Sequence, residues 1–156
     1  MKWKPSWYYH SEHSSTTVGA ERNLIAPVCT TSRKRIVDSG SCFDLISRNE
    51  LSASDERSMN PTVPIHMQTA NGTVTAHHEL SVVIDKLDMD IHAIVMDDAP
   101  TVLSLGKRCM EDGYEFHWKP YQSQMLIAHS GRQEKMDLEN LVPVLPLSAG
   151  SCITVY

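Results

Sequence analysis

The feature that most constrains the fold is the pair Asn71-Gly72, which separates two arms of alternating residues in "PIHMQTANGTVTAHHELSVVID". Asn-Gly is the preferred pair for a two-residue type I′ turn, because both central residues of that turn need a positive φ. In each arm, every second residue falls on the same face of a strand. The residues that share a face are Ile65, Met67 and Thr69 before the turn, and Leu80, Val82 and Ile84 after it. The segment therefore predicts a long β-hairpin.

Signals for short strands recur from Leu24 to the end of the chain. They lie in "NLIAPVCTT", "KRIVD", "DIHAIVM", "TVLSL", "YEFHW", "QMLIAHS" and "LVPVLPL". Between them, "GKRCMEDG" predicts one short helix, which Gly113 can end in the left-handed conformation. Many short strands separated by turns are typical of an all-β barrel or sandwich. Residues 1–23 are polar and aromatic without a period, and they predict a disordered N-terminal tail.

Size and charge exclude several classes of protein. At 156 residues and 17.5 kDa, the chain has the size of a single domain. Its net charge is −5 and its only basic cluster is Arg33-Lys34-Arg35, which argues against a nucleic-acid partner. No apolar run approaches the ~20 residues of a membrane-spanning helix, which argues against a membrane partner. The N-terminus also lacks the apolar centre of a signal peptide, so we expect an intracellular, cytoplasmic protein.

Metal and cofactor sites are not predicted. The candidate ligands are His10, His13, His77 and His78, together with Cys29, Cys42, Cys109 and Cys152. The cysteines form no C-x-x-C pair and are expected to be reduced thiols. The adjacent histidines point to opposite faces of a strand, so they cannot readily share one metal ion. The sequence also contains no glycine-rich phosphate loop.

The stretch "RIVDSGSCFDLIS" is the strongest candidate for a site of chemistry. Asp and Gly are common turn residues, and Asp38 could therefore simply end a strand. A catalytic carboxylate, however, needs a rigid strand to hold it, a glycine that allows the backbone to fold close and a hydroxyl that fixes the loop. Ile36-Val37, Gly40 and Ser39 supply these parts. The three-residue motif alone leaves both interpretations open.

Together with the segments that follow it, this stretch resembles the retropepsin-like aspartic proteases, particularly those in the polyproteins of Copia-type LTR retrotransposons. "FDLISRNELS" is similar to the segment after their catalytic loop, and "MQTANGTVTA" is similar to their flap hairpin. "IHAIVMDDAPTVLSLGKRCMEDGYEFHW" is similar to their closing strand, apolar-apolar-Gly turn and helix. Order and spacing agree over residues 35–118. The resemblance implies a small closed barrel with a flap hairpin and one short helix.

The resemblance also implies a domain division and a set of site residues. The protease domain would span residues 24–120, and residues 121–156 would be C-terminal strands or a polyprotein extension. The family's catalytic Asp, hydroxyl residue and glycine map to Asp38, Ser39 and Gly40. Ser41 replaces the alanine common in retroviral members, as in pepsin-like relatives, and its hydroxyl is expected to donate to the carboxylate together with Gly40. The flap residues over the substrate would be Thr69, Ala70, Asn71, Gly72 and Thr73.

An aspartic protease needs two carboxylates at one water molecule, and this chain has a single Asp-Ser-Gly. The expected protein is therefore a homodimer with one Asp38 from each subunit, an endopeptidase that processes a retrotransposon polyprotein. An alternative is a catalytically inactive retropepsin-like module for dimerisation or peptide binding, because fold does not guarantee function. A third reading is a small β-barrel in which the Asp-Ser-Gly turn is coincidental.

Overall fold

The structure, a computed structural model, describes residues 34–69 and 72–146. The predicted tail of residues 1–23 and the strand predicted from Leu24 lie outside the described residues. Ala70 and Asn71 of the predicted flap also lie outside them.

Eleven strands and two short α-helices form within the described ranges. The strands are β1 (Arg35–Asp38), β2 (Leu45–Ser47), β3 (Asn60–Thr69), β4 (Gly72–Ile84), β5 (Met89–Met96), β6 (Val102–Ser104), β7 (Glu115–His117), β8 (Met125–Ile127), β9 (Gln133–Lys135), β10 (Asp137–Glu139) and β11 (Val142–Leu145). The helices are α1 (Ala53–Arg57) and α2 (Leu105–Met110), and a 3₁₀ turn at Arg48–Glu50 precedes α1. The all-β class is confirmed, whereas the expectation of a single helix is wrong.

The additional helix forms because a capping box starts it. The Ser52 side chain accepts a hydrogen bond from the Asp55 N–H, and the Asp55 carboxylate accepts one from the Ser52 N–H. This reciprocal pair satisfies backbone donors that the first helical turn leaves unpaired. None of the helices in the described residues is long and apolar enough to span a membrane.

The expected closed barrel is not found in the described residues. Eight strands form one open sheet in the order β10-β11-β1-β6-β2-β5-β4-β3, and β7, β8 and β9 form a separate sheet. Closure needs hydrogen bonds between the two outermost strands. Here β10 pairs only with β11 and β3 pairs only with β4 among these strands. The sheet therefore keeps two edges.

The predicted β3–β4 hairpin is present, but Gly72 does not occupy the turn position predicted for it. Thr69 and Gly72 form the last described pair of the ladder. Gly72, with a φ of 115°, is the first residue of β4 rather than the second residue of the turn. The prediction that Leu80, Val82 and Ile84 share one face of β4 is confirmed, because all three are buried.

The C-terminal strands are continuous with the rest of the fold. β11 pairs antiparallel with β1, with Arg35 opposite Leu145 and Ile36 opposite Val144. Leu126 and Met136 are buried in the same core cluster as Val37. Residues on both sides of position 120 therefore contribute to one core cluster.

Candidate active site

Asp38 lies at the end of β1, in the middle of the large sheet. β6 runs parallel to β1 on one side and places Ser104 beside Asp38. β11 pairs with β1 on the other side. Val37 is buried and anchors the strand in the core, whereas Asp38 is only half-buried. The sheet therefore holds this carboxylate rigidly and leaves it accessible.

The loop after Asp38 folds back onto the carboxylate. The Gly40 N–H donates a hydrogen bond of 2.7 Å to Asp38 Oδ1. A Cβ atom at Gly40 would lie only 3.3 Å from the same oxygen, so a side chain at this position would crowd the acid. The hydrogen bond expected from the Gly40 N–H to Asp38 is thus present within a single chain.

Ser41 does not make the expected contact with Asp38. Its hydroxyl donates to the Phe43 carbonyl at 2.6 Å, and a hydroxyl has only one hydrogen to donate. Ser41 therefore stabilises the loop itself rather than the carboxylate. Ser39 is exposed, and its side chain makes no hydrogen bond to another described residue.

A second aspartate, Asp44, fixes the other end of the same loop. Asp44 is buried, and its Oδ1 accepts a hydrogen bond of 2.8 Å from the Ser104 N–H. Its Oδ2 accepts one of 3.0 Å from Nη2 of the buried Arg108, and Lys107 Nζ lies 3.7 Å away. Arg108 Nε also lies 2.8 Å from the Asp112 carboxylate, although without hydrogen-bond alignment.

Ser104 connects this ion pair to the Asp38 loop. Its buried hydroxyl donates to the Ser41 carbonyl at 2.6 Å and accepts a bond from the Lys107 N–H at the start of α2. The structure gives the reason for a serine, since this side chain both caps the helix and holds the loop.

A cavity of about 880 Å³ opens in front of Asp38. The β3–β4 hairpin forms one wall, with Thr69 and the β4 residues 74–78. The turn at residues 97–100 forms another wall, together with Arg48. Within the Asp-Ser-Gly-Ser motif, Asp38 alone lines the cavity. Ser39, Gly40 and Ser41 are not part of its wall.

The predicted flap residues divide between the cavity and the solvent. Thr69 lines the cavity, and its hydroxyl donates to the Gly72 carbonyl at 2.8 Å, which closes the end of the ladder. Thr73 is exposed, and its hydroxyl donates to Gln68 Oε1 at 2.9 Å. Gly72 opens β4, and Ala70 and Asn71 lie outside the described residues.

The cavity is acidic at its outer rim. Asp97 and Asp98 both line it and are exposed, and Arg48 Nε donates to the Asp97 carboxylate at 2.6 Å. Across residues 34–69 and 72–146, no three His, Cys, Asp or Glu side chains are grouped so that they could hold a metal ion.

Comparison with family models, with curated proteins and with solved structures found no significant match to this chain. The assignment of the site therefore depends on its own geometry.

Proposed function

We propose that this protein is an aspartic endopeptidase of the retropepsin-like kind, active as a homodimer. One observation carries the proposal. The half-buried Asp38 carboxylate is held by the Gly40 N–H on a rigid central strand, in the wall of a cavity that extends to the β3–β4 hairpin. A fixed and accessible acid at a cavity of this size, within the ~300–1,000 Å³ of small-ligand sites, is the arrangement that acid–base catalysis needs.

A second copy of the chain supplies the second carboxylate in this proposal. Asp38 alone provides one acid where peptide hydrolysis by this mechanism needs two. Ser39 and Gly40 are exposed beside it, which leaves this end of β1 open to approach. A two-fold axis at this point brings Asp38 of each copy to a single water molecule in an isologous contact.

In the dimer the two carboxylates share one proton, since two like charges at this distance cannot both ionise easily. The charged carboxylate takes a proton from the water as it attacks the peptide carbonyl. The protonated carboxylate donates its proton to the carbonyl oxygen. The Gly40 N–H keeps one oxygen of each acid in a fixed orientation.

The substrate in this proposal is an extended peptide segment that lies in the cavity beneath the hairpin. Extended peptides are commonly bound through main-chain hydrogen bonds and pockets for alternate side chains. The hairpin wall contributes Val74 and Ala76, and the turn at 97–100 contributes Ala99 and Pro100. Processing of a retrotransposon polyprotein is the role that the sequence resemblance suggests for such an enzyme.

The decisive experiment is incubation of the purified protein with a peptide library at several pH values, beside an Asp38→Asn variant. We expect cleavage by the wild type and a loss of at least ~100-fold in the variant, because the amide cannot accept the proton of water. Asp88→Asn is the matched control, since Asp88 lies in an exposed turn with a φ of 51° that Asn tolerates well. Cleavage by Asp38→Asn at the wild-type rate would refute the assignment. Peptide binding without cleavage by the wild type would favour the inactive module.

Dilution tests the half-site arrangement independently. Only the dimer holds both carboxylates, so specific activity should fall below the dimer dissociation constant. Specific activity that stays constant where sedimentation detects only monomer would eliminate the two-copy site.

A further inference from the structure

Strands β10 and β11 form a hairpin at the edge of the large sheet. The turn end of this hairpin is unusually apolar. Among residues 34–69 and 72–146, seven large hydrophobic residues are exposed, and three of them lie between positions 138 and 142. They are Leu138, Leu141 and Val142, with exposed fractions of 48%, 79% and 39%. We call these three residues the apolar tip. Exposed apolar clusters of this kind commonly mark interaction sites.

The backbone of the apolar tip is also unfavourable for its sequence. Glu139 pairs with Val142, and the two residues between them, Asn140 and Leu141, have φ values of 49° and 67°. Asn tolerates a positive φ, whereas a branched residue such as Leu rarely adopts one. Glycine is the residue that usually follows Asn in such a turn. Leu141 therefore combines a strained backbone with exposure of its side chain, and burial against the described part of the chain explains neither.

The apolar tip lies beside the loop that follows Asp38. β11 pairs with β1 so that Ile36 is opposite Val144, and the same register continued by two residues places Val142 beside Asp38. Neighbouring strands are about 5 Å apart. The turn at residues 140–141 therefore lies at the same end of the sheet as Ser39 and Gly40, roughly 5–10 Å from Asp38.

We propose that the apolar tip is part of the surface on which a second copy of this chain docks. This inference rests on the proposed function, because the half-site at Asp38 is incomplete without a second copy. A copy that brings its own Asp38 to a shared water molecule must cover the surface within a few ångströms of that residue. The apolar tip is continuous with that surface through the β11–β1 ladder. Its three side chains would lose their contact with water there, and this burial would stabilise the dimer.

The test is the monomer–dimer equilibrium of the full chain with Leu141→Gly, measured by sedimentation equilibrium. This change creates the preferred Asn-Gly pair at positions 140 and 141, so the fold of each subunit should be at least as stable as before. Each dimer loses two side chains, and we expect its dissociation constant to rise about tenfold or more. A second variant, Leu138→Ser, should weaken the dimer in the same direction without altering the turn.

Tyr121→Gly is the matched control, because Tyr121 is also fully exposed and has a φ of 59°, but lies between β7 and β8. It should relieve the same kind of strain and leave the dissociation constant unchanged. An unchanged constant in both tip variants, or equal weakening by Tyr121→Gly, would overturn the proposal, as would a wild-type chain that is monomeric at every concentration. If the wild type dimerises through the apolar tip but cleaves no peptide, the proposed peptidase activity is wrong and the docking surface is still supported.

Discussion

The two aspartates at the ends of the loop 38–44 have opposite environments. Asp44 is buried, and the Ser104 N–H, Arg108 and Lys107 surround its carboxylate with hydrogen bonds and positive charge. Asp38 is half-buried, receives the Gly40 N–H and faces the cavity. No basic side chain forms an ion pair with Asp38 among the described residues.

This difference separates an acid that holds the structure from an acid that is available for chemistry. The Asp44 carboxylate already accepts hydrogen bonds from the Ser104 N–H and the buried Arg108 guanidinium, so few of its lone pairs remain for a substrate. A carboxylate fixed by one neutral donor keeps lone pairs for water. The loop between the two aspartates thus connects the half-buried Asp38 to the core, through the hydrogen bond from Ser104 to the Ser41 carbonyl.

The largest stability effect expected from this comparison is that of Asp44→Asn. The amide leaves the buried Arg108 charge with Asp112 as its remaining carboxylate, and Asp112 is partly exposed. Breaking a buried ion pair in this way lowers the free energy of unfolding by about 3–5 kcal/mol. Because the Asp112 carboxylate still lies beside Arg108, we expect a loss at the lower end of this range, about 3 kcal/mol. Urea unfolding, followed at protein concentrations well below the dimer dissociation constant, measures this loss.

The matched variant is Asp38→Asn, which should change the free energy of unfolding by less than about 0.5 kcal/mol. Equal destabilisation by the two variants would show that Asp38 also supports the fold, and the comparison between the acids would then be wrong.

Ser104→Ala should have the next largest effect, about 1–2 kcal/mol of unfolding free energy. The variant loses the cap of α2 and the hydrogen bond to the Ser41 carbonyl, and that carbonyl then lacks its buried donor. Because the bond connects α2 to the Asp38 loop, kcat should fall as well. Ser130→Ala is the control, since Ser130 lies in an exposed turn far along the sequence. Full kcat in Ser104→Ala would mean that the loop holds Asp38 without this connection.

The sequence predicted the elements of this fold whose signals are local. The β3–β4 hairpin, β1 and the left-handed Gly113 follow from alternation and turn chemistry within a few residues, and the structure contains all three. The hydrogen bond from the Gly40 N–H to Asp38 was expected from the family resemblance, and the structure contains that contact. Gly72 was predicted as a turn residue but begins β4, because Asn-Gly is only a preference and the register of the two long arms decides which residues pair.

The supporting residues of the site could not be predicted in this way. Asp44 and Arg108 are 64 positions apart, and each is an ordinary charged residue in its own segment. Burial of both, which gives the pair its importance, depends on the packing of α2 beneath the loop. The open sheet was likewise unpredictable, because the pairing of β11 with β1 joins opposite ends of the described chain.

The cysteines provide a further test of the loop. Cys42 lies between the two aspartates and is exposed, whereas burial raises the pKa of the Cys109 thiol on α2. The thiolate is the reactive form, so a raised pKa leaves less of it at a given pH. At pH 8 we expect iodoacetamide to modify Cys42 about tenfold faster than Cys109, as mass spectrometry of the digested protein would measure. Similar rates would indicate that the loop covers Cys42.

The smallest expected effect is that of Ser41→Ala, and it decides how the loop serves the acid. The Ser41 hydroxyl donates to the Phe43 carbonyl, so its removal should cost about 1 kcal/mol of stability, the typical contribution of a neutral hydrogen bond. Because Asp38 loses no donor, the acidic limb of the pH–rate profile should stay at the wild-type position. If the hydroxyl instead turned toward the carboxylate in the dimer, it would favour the charged form, and its loss would move that limb to higher pH. A shift of half a pH unit or more, with unchanged dimerisation, would therefore show that dimer formation reorients Ser41 and that its single-chain contact is not the catalytic one.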